Sequence, residues 1–181
     1  MKKAQVWVET VIYILIGLTI IAVLLAIINP KINQMKDKAV IESMISGLET
    51  IDKDINGVKL AYGKKEIVDI GLKKGRLIIN GETEEIVFVL DESKVEYSEP
   101  GREIERGSLY VLTEKQKGII NVSLSLKYDS LNITYSEKDE KKVFNQASLP
   151  YRFAIENKGD QEVMIGGETG KLTNIDIYSI S

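Results

Sequence analysis

"KKAQVWVETVIYILIGLTIIAVLLAIINP", residues 2–30, decides the fold, because it carries one carboxylate, Glu9, and then no charge from residue 10 to residue 28. At 1.5 Å per residue that uncharged run makes about 28 Å of helix, close to the thickness of a bilayer's hydrocarbon core. Its Ile, Leu and Val residues fall on every side of a helix and not in one stripe, which suits lipid better than a globular core. Lys2 and Lys3 in front favour a cytoplasmic N-terminus and an exported remainder, although Lys31, Lys36 and Lys38 beyond the run weaken that asymmetry. A cleaved secretory signal fits less well. The run exceeds the roughly 7–15 apolar residues of such signals, and no small-x-small cleavage site stands at its end.

Outward from this segment, the remainder of the 181 residues is enough for one exported domain. A net charge of −3 disfavours direct nucleic-acid binding, since neutralising phosphates takes a concentrated basic face. With neither Cys nor His in the chain, disulfides, thiolate or imidazole metal ligands and His-activated nucleophiles are excluded together. Pro30 follows Asn29 at the end of the run, where a missing backbone donor predicts a kink or break at membrane exit. Beyond it Ile41, Met44, Ile45, Leu48, Ile51, Ile55 and Val58 recur every three or four residues, the stripe of an amphipathic helix. A short coiled-coil seam reads similarly.

After Gly57 and Gly63 the pattern changes to β-branched runs. "RLIINGETEEIVFVL", residues 76–90, predicts a hairpin with Asn80-Gly81 as its turn signal. "GSLYVL", "GIINVSLSLKY", "LNITYS", "YRFAIEN" and "IDIYSIS" continue the series, and alternation in residues 121–128 points Val122, Leu124 and Leu126 inward. "SEPGRE" and "SEKDEKK" read as solvated turns, and the tail from Tyr151 onward as the strand that closes a sheet edge. Tyr110, Tyr128, Tyr135, Tyr151 and Phe153 read as core or sheet-face residues. The fold class is therefore α+β: a long N-terminal transmembrane and stalk helix followed by an antiparallel β-rich head, either a sandwich or a curved sheet.

Little in the head suggests catalysis. "MIGGETGK", residues 164–171, lacks the Ser or Thr and the spacing of a phosphate loop and reads as a turn. The carboxylates Glu82, Glu84 and Glu85, and likewise Glu137, Asp139 and Glu140, lack a calcium-loop pattern and read as solvated. No enzyme activity, cofactor or metal is expected. Two tripeptides, Asn121-Val122-Ser123 and Asn132-Ile133-Thr134, are N-glycosylation acceptors in form on an exported domain, Asn132 being the better placed beside a turn.

One motif is more specific. "KKA" followed by "QVWVE" and an apolar helix resembles the class III signal peptide of archaeal type IV pilins and related filament subunits. The resemblance implies a prepilin peptidase cutting between Ala4 and Gln5 and leaving the helix attached. It maps the family's assembly glutamate onto Glu9, which would pair with the freed amine of Gln5 on a neighbouring subunit. Ala4 stands where Gly is frequent, and Trp7 where a small polar residue is common. The implied organisation is a leader at 1–4, a transmembrane and filament-core helix at 5–30, an amphipathic stalk at 31–56 and a head at 57–181. The implied function is a structural subunit of a surface filament. Its partners would be itself and related pilins, the peptidase, a membrane platform with an assembly ATPase, and the lipid bilayer before assembly. The chain would be a single-pass membrane protein first and part of a cell-surface filament afterwards. A minor or pseudopilin component of a secretion or DNA-uptake filament, and a non-polymerising membrane-anchored binding protein, remain as alternatives. Adhesion, motility and uptake are left open.

Overall fold

The computed structural model describes residues 2–165 and 168–180, with side chains described for residues 7–162 and 171–180. The first element, α1 (Lys2–Val58), is a single 57-residue helix. Pro30, expected to break or kink it, lies inside an uninterrupted helix. A proline removes only the one hydrogen bond its own nitrogen would have donated, here to the Ala26 carbonyl, and long helical segments on both sides carry the geometry past that gap. The helix ends where Asn157, a buried residue, donates its side-chain amide to the Val58 carbonyl at 3.1 Å.

Ten strands follow: β1 (Lys65–Ile70), β2 (Arg76–Asn80), β3 (Glu85–Ser93), β4 (Glu103–Arg106), β5 (Leu109–Gln116), β6 (Ile119–Lys127), β7 (Leu131–Tyr135), β8 (Lys141–Asn145), β9 (Tyr151–Ile165) and β10 (Glu168–Ser179). They form a four-stranded sheet, β1-β9-β10-β7, and a six-stranded sheet, β4-β5-β6-β3-β2-β8. All pairs are antiparallel except β7 with β10. The α+β layout of a long apolar helix and a β-rich domain is thus the one expected. The 76–90 hairpin is present with Asn80 opposite Glu85, so its loop has four residues in place of two. Asn80 organises that loop, accepting the Glu82 N–H at 3.2 Å and donating to Thr83 Oγ1 at 2.7 Å.

Two expectations need correction. The tail closes no edge: β9 and β10 pair with each other in the middle of the four-stranded sheet, flanked by β1 and β7. The charged turns are partly strand, since "SEPGRE" runs into β4 and "SEKDEKK" into β8, the two outer strands of the six-stranded sheet. The turn expected within residues 164–171 falls on Gly166 and Gly167, outside the described residues.

The stripe from Ile41 to Val58 is buried, and it shares one core with Leu77, Ile86, Phe88 and Leu124 of the six-stranded sheet and Ile133, Phe153 and Ile175 of the other. Phe144 of β8 packs edge-on against Tyr135, Tyr151 and Phe153, with centroids 4.9–5.5 Å apart, so aromatic contacts tie the two sheets together. At Gly75 (φ 84°) an added Cβ would stand 2.5 Å from the Val89 carbonyl oxygen, and only glycine turns the chain from β1 into β2 there. β1 runs back along the helix: Lys64 donates to the Gly57 carbonyl, Ile70 lies against Gly47, and Lys74 reaches Asp37. The β1–β2 loop therefore hangs at the end of the head nearest the apolar segment.

Candidate functional site

The candidate site is the first half of α1. One helix near the N-terminus is long and apolar enough to cross a membrane, and its apolar window is entirely unburied. Trp7 is 70% exposed, and Tyr13, Leu18 and Ile27 are similarly bare. Fifteen such side chains from Trp7 to Ile28 left in water cost on the order of tens of kcal/mol, more than the roughly 5–15 kcal/mol that holds a domain folded. Such a surface is compatible with a membrane-spanning segment. Thr19 suits this environment because its hydroxyl donates to the Leu15 carbonyl at 2.8 Å, leaving no polar hydrogen unmet.

Glu9 is exposed on this helix, and its Oε1 accepts the Tyr13 hydroxyl one turn later at 3.2 Å. Residues 4 and 5 are helical in backbone, and the side chains of Ala4 and Gln5 lie outside the described ones. Pro30 sits two residues past the apolar run.

The second half of α1 is fastened to the head by three acids that sequence reasoning missed. Asp37, only 4% exposed, accepts Lys74 Nζ on one oxygen and the Lys94 N–H on the other, the latter at 2.7 Å. Glu42 accepts the Tyr97 hydroxyl at 2.7 Å and lies 3.6 Å from Arg106. Asp52 accepts the Tyr128 hydroxyl at 3.0 Å. Burial, then the neighbouring Asp52 carboxylate, drives the Tyr128 phenol far above its ordinary pKa, so it remains a donor at any physiological pH. The acids stand beside the apolar stripe, but their partners come from remote parts of the chain.

The sequon asparagines lie on strands and are half-buried. Asn121 is on β6 and accepts the Glu92 N–H at 3.2 Å, while Asn132 is on β7, an outer strand of the four-stranded sheet. The two carboxylate clusters approach each other: Asp139 raises the pKa of Glu84, behind the larger effect of burial. Among the described residues no three His, Cys, Asp or Glu side chains converge as a metal site would require. In comparisons with known proteins, no family model, no curated protein and no solved structure matches the chain.

Proposed function

We propose that the chain is a structural subunit of a type IV pilus-like surface filament and not an enzyme. It is inserted with its N-terminus in the cytoplasm, cut between Ala4 and Gln5, and polymerised through residues 5–30 with the head outside. The observation that carries this reading is an apolar helix bare on all sides yet continuous with a stalk that is bolted into a complete core. Such a helix keeps its partner surface when it leaves lipid only if other helices replace the lipid. Head-to-tail packing of copies does so and propagates into a fibre. Glu9 supports the reading as the lone carboxylate of the segment, since a desolvated charge needs a partner and the freed Gln5 amine of a neighbour is one.

A non-polymerising membrane anchor is the second reading, and the Glu9–Tyr13 hydrogen bond favours it by giving the carboxylate a partner inside its own helix. Mass analysis of the mature N-terminus in the native cell, combined with Glu9→Ala, separates them. Assembly predicts a chain starting at Gln5 and a Glu9→Ala variant that is cut and inserted but enters filaments at least about tenfold less, the loss expected when one partner of a desolvated charge pair is removed. Retention of Met1, or unchanged incorporation of the variant, defeats it.

A further inference from the structure

Asp37 ties the helix to the head at the junction nearest the apolar segment, and a cleft of about 730 Å³ opens there. Val40 and Met44 of the helix form an apolar wall, and Lys36, Lys73, Lys74 and Lys94 stand around it, with Asp37 the one acid in the lining. Lys31 and Lys38 flank it on the helix, and Asp37 is the only acid between Glu9 and Glu42. Among the described residues, only Lys74 of these six lysines has a carboxylate partner, and Lys36, Lys73 and Lys94 are exposed. Near the junction, Asp91 at the end of β3 pairs with Arg76 and Glu96, in the loop after β3, with Lys115, leaving Glu92 and Glu114 in opposition. A basic collar thus concentrates at one end of a chain whose net charge is −3.

We propose that this collar docks on anionic, phosphate-bearing lipid headgroups of the membrane that α1 spans, a proposal that rests on the membrane reading above. Asp37 lies nine residues beyond Ile28, about 14 Å along the helix, and the headgroup layer occupies roughly the first 5–7 Å of that. The remaining distance is about one Debye length at physiological ionic strength, so the lysines feel the lipid charge, and side chains close the gap. A phosphate diester supplies the anion that the lysines at the rim reach toward the bilayer. Because Asp37 holds both the Lys74 ammonium and the Lys94 N–H, the head cannot swing away without breaking a buried hydrogen-bonded contact. The collar also accounts for Lys31, Lys36 and Lys38 standing on the exported side of the span: they serve the facing leaflet and not topology.

The test reconstitutes the full chain in nanodiscs of phosphatidylcholine, with and without phosphatidylglycerol, and measures lysine acetylation site by site. Lys53, sixteen residues beyond Asp37 and about 24 Å further from the membrane, is the internal reference. Docking predicts acetylation about tenfold slower at Lys36, Lys73 and Lys94 in the anionic discs and unchanged at Lys53. A slowing of about threefold or less is what the surface potential alone imposes on nearby amines, and that result overturns the docking. Equal protection from inorganic phosphate added to neutral discs overturns the lipid assignment in favour of a simple anion cleft. Protection seen only in assembled filaments assigns the collar to a subunit contact and overturns it too. Failure of the chain to enter either disc defeats the membrane reading itself, whereas entry without a difference at the lysines defeats the docking alone.

Discussion

Glu84 holds a left-handed backbone, φ 54°, at a cost of about 1–2 kcal/mol for a residue with a side chain. What it gains is a bond between the sheets: its carboxylate accepts the Ile133 N–H of β7 from the β2–β3 loop. Burial, and secondarily Asp139, raise its pKa above the usual carboxylate range, although the Ile133 N–H pulls the other way. The sign follows from linkage. A carboxyl whose folded pKa is raised binds its proton more tightly in the folded state, so its contribution is fully present below the unfolded pKa and is lost as pH rises through the folded one. Glu84→Gln keeps an acceptor for Ile133 and removes the charge. The variant should melt higher than the parent at pH 7 and lose that advantage as pH falls toward about 4, the ordinary carboxylate range. Thermal melts across that interval check it, and a variant that melts lower at neutral pH shows that the charge strengthens the Ile133 bond by more than its burial costs.

At the scale of elements, α1 is two helices in physical character and one in geometry. Leu48 on the stripe is fully buried, while Leu24 on the apolar half touches nothing in the head. Leu48→Ala should cost about 2–5 kcal/mol of head stability, and Leu24→Ala none. Urea titration of the full chain in detergent reads this cleanly. Trp7, the only tryptophan, reports the apolar segment, and seven of the eight tyrosines report the rest. Equal losses from both substitutions would mean that the apolar half packs on the head. The stripe was legible because every position in it obeys the helical period and is buried. β6 was legible because Val122, Leu124 and Leu126 alternate with polar residues. β4 and β8 escaped because they are short and charged: β4 buries none of its residues and β8 only Phe144, so no periodicity betrays them, while β1 alternates only over Val68 and Ile70, too short a run to stand out. The Asp37, Glu42 and Asp52 ties escaped for another reason. Their partners, at residues 74, 94, 97 and 128, are made neighbours only by the fold.

For the whole molecule, the core that takes in the stalk begins at Ile41 and its first polar tie is Asp37, both beyond the apolar half of α1. The candidate site was legible from composition alone, since an uncharged run needs no tertiary information to be recognised, whereas the collar at its exit depends on where β1 returns. A chain lacking residues 1–30 loses the unburied apolar run of α1 and keeps every buried contact. Its truncated helix begins six residues before Asp37, and Asp37 still has the Lys94 N–H and the Lys74 ammonium to hold it. Substitutions and cuts away from buried contacts change stability by about 0.5 kcal/mol, and 1 kcal/mol moves the melting temperature of a domain this size by about 2–4 °C. The truncated chain should therefore be water-soluble and monomeric and should melt within about 4 °C of the full chain's head. The full chain should partition into bilayers with Trp7 emission shifted to the blue. Circular dichroism melts and light scattering decide the first part, and fluorescence with vesicles the second. A truncated chain that aggregates or melts far lower would show that the helix before Asp37 supports the head. In that case α1 would be a structural spine along its whole length, and not an insertion segment joined to an independent domain.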